Sequence, residues 1–169
     1  MAVKSAKASI QDQFGGKVRV RVGGILIIEN KILLLKHMGV GPNEYLWSPP
    51  GGGLEYGIAA EENLRREFLE EVHLAVEVKE LLFINEFIDL PIHAVELFYK
   101  VELVAGKTKL GTDPEMGDHQ ILTDFAYFSE EDLKKEQKNR LHNMFHTINK
   151  PQEVLNLKGY YKFVNNSVN

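Results

Sequence analysis

Residues 49–72, PPGGGLEYGIAAEENLRREFLEEV, run from a proline–glycine turn directly into the first convincing helical period of the chain. Residues 58–72 read as that helix. Ala60, Leu64 and Phe68 form an i, i+4 apolar stripe, and Glu61 and Glu62 favour the positive end of the helix dipole. Three further carboxylates, Glu67, Glu70 and Glu71, crowd the last turns. At about 100° per residue they fall at 0°, about 300° and about 40°, while the apolar stripe lies at about 20–100°. The acidic patch therefore borders the buried stripe. Like charges at i+3 and i+4 repel by a few tenths of a kcal/mol per pair. Either water screens these charges on a solvated face, or a cation sits among them. Of the nearby bases, Arg66 points beside Glu70.

The preceding loop favours the cation. Glycines allow close backbone approach, and backbone amides at a helix N-terminus attract phosphate. Hard divalent cations take carboxylate oxygens, and magnesium completes its octahedron with water and substrate phosphate, so one helix face can suffice. A glycine–proline loop is also ordinary turn punctuation, but that reading leaves its coupling to a carboxylate-lined helix unexplained.

The flanks are β-rich. Residues 17–24 alternate polar and apolar side chains as a strand. Residues 25–28 and 31–37 are apolar runs broken by Glu29 and Asn30, which predicts a hairpin. Residues 38–53, with five glycines and three prolines, read as mostly loop. Further strands are expected in VEVKELLFINEF, over residues 93–106 and over residues 123–129. Residues 129–148 read as helical, opened by a Ser129 cap, with the segment 134–146 packed on the sheet. The tail adds a short apolar segment. No repeat or linker divides the chain. One α+β domain over residues 1–169 is expected, with flexible ends at 1–14 and 164–169.

Composition narrows the chemistry. At 169 residues, 44% hydrophobic and 26% charged, the chain has an ordinary globular make-up. With no cysteine, thiol catalysis, disulfides and cysteine-rich zinc sites are excluded. A net charge of −4 argues against non-specific nucleic-acid or anionic-membrane binding. It leaves room for a polyanionic substrate whose charge a metal offsets. No stretch approaches the roughly 20 apolar residues of a membrane span, and no apolar leader opens the sequence, so a cytoplasmic location is the default expectation.

The segment GGLEYGIAAEENLRREFLEEVHL, residues 52–74, resembles the Nudix box of the Nudix hydrolases. Gly52, Arg66, Glu67, Phe68, Glu70, Glu71 and Leu74 match the box pattern in register without a gap. Two positions depart. Ile58 stands where the family has glutamate, and His73 where it has glycine.

The resemblance implies a Nudix α/β/α sandwich with mixed sheets, the box forming a loop–helix–loop. It also implies metal-assisted hydrolysis of a nucleoside diphosphate linked to another group, with Mg2+ as cofactor and Mn2+ as a substitute. By position, Glu70 and Glu71 hold the metals, Glu67 is a further ligand tied to activating water, and the Gly52 carbonyl is a backbone ligand. Arg66 orients the carboxylates through charge-assisted bonds. The family glutamate missing at Ile58 supports the arginine or the metal shell, so its loss threatens geometry and rate more than metal binding. His73 is expected to close the helix in a left-handed conformation.

Outside the box, the loop at residues 112–120 holds three acids and a histidine. Glu115 is the first choice there for an additional catalytic carboxylate, Asp118 the next, and Glu86 a third option. Arg19 and Arg21 share one strand face and could meet phosphates. Gly51 and Gly53 could present backbone to substrate. Trp47, Tyr45 and Phe14 could stack on a base, although Trp47 also suits the core. The histidines show no zinc spacing.

The leading function is therefore a pyrophosphohydrolase acting on a small nucleotide. ADP-ribose or a nucleotide sugar comes first and a nucleoside triphosphate second, with a homodimer as the default association. The alternative is a catalytically weakened Nudix module that binds a nucleotide as a sensor. A Nudix-fold isoprenoid isomerase is disfavoured, because the chain lacks the cysteine that reaction uses.

Overall fold

The computed structural model describes residues 14–40, 44–117 and 120–165, Glu115 by its backbone alone. Strand β1 (Val18–Ile25) is followed by β2 (Ile27–Ile28) and β3 (Lys31–Met38). Glu29 and Asn30, both at positive φ (48° and 63°), turn the expected hairpin between them. The segment 38–53, expected to be loop, instead carries β4 (Tyr45–Ser48) and β5 (Gly51–Gly53). Pairing supplies what propensity denies: β4 lies antiparallel on β3, and β5 lies antiparallel on β1. Helix α1 (Ala60–Val72) leads into β6 (Leu74–Asp89) and β7 (Ile92–Gly106), a long antiparallel hairpin whose Leu90–Pro91 bond is cis.

Strand β8 (Leu122–Phe128) pairs with β3. The helix expected over residues 129–148 is only α2 (Glu130–Lys135), capped by Ser129, whose Oγ accepts from the Asp132 amide. Short 3-10 turns at Lys138–Arg140 and Asn143–His146 follow. Gln137 and Leu141 adopt extended backbone, so the chain bends to bury Leu141, Met144 and Phe145. After a further 3-10 turn at Pro151–Asn156 comes β9 (Gly159–Val164), which pairs parallel with β6.

The strands make a mixed five-stranded sheet, ordered β5–β1–β7–β6–β9, and an antiparallel four-stranded sheet, β2–β3–β4 with β8 on the other edge of β3. Alternation along β3 divides the interior. Leu33 and Leu35 face Leu64, Phe68 and Val72 of α1, while Ile32 and Leu34 face Phe98, Leu133 and Phe145. This is the α+β sandwich expected, with one sheet mixed and the other antiparallel throughout. At the ends, Phe14 packs under the Arg19 guanidinium at 3.6 Å and Val164 belongs to β9. Residues 1–13 and 166–169 lie outside the described residues. Among the described residues, no helix is long and apolar enough to cross a membrane.

Candidate active site

The box forms a loop, a helix and a tightly held exit. Ile58 lies in the loop, its N–H donating to the Glu55 carbonyl at 3.3 Å, and α1 starts after Ala59 with no side-chain cap. At the other end His73 adopts the left-handed conformation expected (φ 56°, ψ 33°), and its N–H reaches the Phe68 and Leu69 carbonyls. The loop after β7 then docks on that end. The N–H groups of Thr112, Gly111 and Lys109 donate to the carbonyls of Glu70 (3.1 Å), Glu71 (2.8 Å) and Val72 (3.1 Å). These carbonyls have no partner within the helix. Only glycine permits the approach, because a Cβ at residue 111 would stand 1.8 Å from the Glu70 oxygen.

Helix α1 aims its carboxylates at β5. Glu67 and Glu71 are 3% and 1% exposed, although both are charged residue types. The Glu67 carboxylate lies directly on Gly52, where a Cβ would come within 2.5 Å of Oε1. The Gly51 N–H donates to Glu71 Oε2 at 2.9 Å. Burial pushes the Glu71 carboxyl well up, the Gly51 amide opposes this, and the nearby charges of Glu67 and Asp113 add to it. Glu70 is half-buried, with Arg66 Nε 3.8 Å away. Arg66 Nη2 donates to Glu55 at 2.8 Å and lies 3.7 Å from Glu67.

Two buried carboxylates, Glu67 and Glu71, with Glu70 half-buried beside them, are a donor set suited to a hard divalent cation. Among the described residues no three Asp, Glu or His side chains already converge on one point. A bound ion would therefore complete its shell with water or substrate oxygen.

Beside this cluster a small cavity is lined by Arg21, Ser48, Gly51, Glu96 and His142. Burial would push the Glu96 carboxyl up, but His142 Nε2 at 2.8 Å, Arg21 and the Asn85 amide hold it down at about 2. Arg21 Nε lies 4.0 Å from Glu96, at the cavity wall. Sequence alone missed this network, since its members come from β1, β6, β7 and the start of the 3-10 turn at Asn143–His146 and share no spacing. It also missed Asn63, Glu55 and Asp113. Only Asn63, four residues before Glu67 on one helix face, carried a usable signal.

The remaining expectations divide. Arg21 reaches the site, whereas Arg19 stacks on Phe14. Trp47 does not present a stacking face. It is 7% exposed and packs edge-on against Phe128 with centroids 4.9 Å apart, so it belongs to the core. Tyr45 lies between Lys36 and Arg140. Glu86 is engaged away from the box by His93 at 2.8 Å and by the Tyr160 hydroxyl. Glu115 lies in the 3-10 turn Pro114–Met116, and its side chain, like Asp118 and His119, lies outside the described residues.

A mixed-sheet sandwich with a glycine strand laid against a carboxylate-bearing helix defines a pyrophosphohydrolase of the Nudix type. The NUDIX domain family matches residues 17–148, and this chain belongs to that family. An ADP-ribose pyrophosphatase from Methanocaldococcus jannaschii is 32% identical over 120 residues, covering 68% of this chain and 70% of that protein. Two solved structures share the fold. An ADP-ribose pyrophosphatase from Streptococcus suis has a TM-score of 0.58 at 20% identity, covering 85% and 98% of the two chains. A Nudix hydrolase from Nitrosomonas europaea has a TM-score of 0.65 at 18% identity, covering 82% and 88%.

Proposed function

We propose that this enzyme hydrolyses the pyrophosphate bond of a nucleoside diphosphate joined to a second group, with ADP-ribose or a nucleotide sugar first and a nucleoside triphosphate second. The observation that carries the reading is the buried Glu67–Glu71 pair set against Gly51 and Gly52. The relative from Methanocaldococcus jannaschii supports the substrate class. Glu67, Glu70, Glu71 and the Gly52 carbonyl would hold Mg2+, or Mn2+ in its place. When bound, the metal neutralises phosphate charge and lowers the pKa of the attacking water.

The protein's own groups do the rest. Arg66 holds Glu67 and Glu70 in place by charge. Arg21, fixed by Glu96, faces the substrate phosphates. Gly51 and Gly53 keep the wall free of side chains. Glu115 is the additional carboxylate of the docked loop. Water adds at phosphorus and one bridging P–O bond breaks, giving two phosphomonoesters from ADP-ribose or a nucleotide sugar, or a nucleoside monophosphate and pyrophosphate from a triphosphate.

The sensor alternative rested on Ile58. With Glu55 on Arg66, the arginine has a carboxylate partner without that box glutamate, which weakens the alternative. The test is product analysis over nucleoside diphosphate derivatives and triphosphates with Mg2+ and with Mn2+. AMP and ribose phosphate should form from ADP-ribose. Tight Mg2+ binding with no hydrolysis across the panel would favour the sensor.

A further inference from the structure

Asn63 is fully buried in a helix that otherwise buries only apolar side chains and the site carboxylates. A buried amide is costly unless its hydrogen bonds are made. Here all four are. Oδ1 accepts from the Glu55 N–H at 3.2 Å and from Arg66 Nη2 at 3.2 Å. Nδ2 donates to the Gly53 carbonyl at 3.1 Å and to Glu67 Oε1 at 3.3 Å. The partners fix which end of the amide is which, since two are donors and two are acceptors. One side chain thus joins the glycine strand, the loop backbone at Glu55, the arginine and the buried glutamate.

We propose that Asn63 is a positioning residue for the Glu67 carboxylate. Its amide sets the rotation of Glu67 against Gly52, and its carbonyl oxygen gathers Glu55 and Arg66 into the same cluster. This is the orientation that Ile58, an apolar side chain in the loop, does not supply. The inference rests on Glu67 serving a divalent ion, as in the function proposed above. Replacing the amide takes one hydrogen bond each from Gly53 O, Glu55 N and Glu67 and loosens the set of the Glu67 carboxylate against the strand, so its first effect falls on the ion.

The test is Mn2+ binding to the substrate-free protein, followed by electron paramagnetic resonance, on wild type, Asn63→Ala, Glu67→Gln and the double variant. Asn63→Ala should weaken Mn2+ binding about tenfold, or about 1.4 kcal/mol. The double variant should bind no more weakly than Glu67→Gln alone, because Asn63 acts through Glu67. Val154→Ala, a truncation in the core remote from α1, serves as a stability control and should leave Mn2+ binding unchanged. If Asn63→Ala does not fold, Asn63→Ser takes its place in the cycle. Wild-type affinity in the Asn63 variant, additive losses in the double variant, or an equal loss in Val154→Ala would each overturn the proposal. A wild-type protein that binds no Mn2+ would defeat the metal reading itself.

Discussion

Glu71 shows how a site position departs from what stability alone would choose. Its carboxyl is pushed well up by burial, with Glu67 and Asp113 adding to the shift and the Gly51 amide and the Arg21 charge opposing it. An acid whose folded pKa is raised favours the fold most when protonated, and that stability is lost as pH rises through the shifted value. Without metal, charging Glu71 therefore costs the fold stability. Glu71→Gln keeps the shape and an acceptor for Gly51 while removing the charge. It should melt at a higher temperature than wild type in chelator, yet lose at least about 100-fold in turnover, near 2.7 kcal/mol of barrier. Calorimetry in chelator and a steady-state assay with Mg2+ check the two halves. A variant no more stable than wild type, or active to within a few fold, would remove Glu71 from this role.

Among the elements, the exit of α1 is what brings the loop after β7 to the site. Gly111→Ala would set a Cβ 1.8 Å from the Glu70 carbonyl oxygen. The loop must then lift, at roughly 2–4 kcal/mol of stability. Urea unfolding should show that loss, with faster hydrogen exchange at the Lys109 and Thr112 amides; an unshifted midpoint would mean the clamp is not rigid. This docking was not legible in the sequence, because it joins backbone groups about 40 positions apart with no side-chain pattern to announce it. Helix α1, strands β6 and β7 and the His73 cap were legible, since each follows from local period or local chain geometry. Strands β4 and β5 were hidden for the opposite reason. Their glycines and prolines argue for loop, and only their neighbours β3 and β1 make them strands.

For the molecule as a whole, acid resistance should fail in two stages. His37 is buried on β3, and burial followed by the charge of Arg21 holds its pKa down at about 4 from 6.5. The unfolded chain takes up this proton first, so stability falls as pH drops from about 6.5 to 4, by roughly 3 kcal/mol in total. Glu96, held at about 2, adds stability above its unfolded pKa of 4.5, and that share is lost as pH falls through about 2. Unfolding free energies measured across pH 7 to 4 should show the first stage, and His37→Gln should flatten it. An unchanged slope in that variant would assign the pH dependence to other groups. The placing of β9 has a consequence in time. It follows every other strand among the described residues, yet it pairs with β6, whose residues precede it by about 75 positions. During synthesis the β6–β7 hairpin is complete long before its neighbour exists. From Phe83 to Ile88 that border of β6 stays bare until residues 159–164 leave the ribosome, and the emerging chain must keep it from other strands until then.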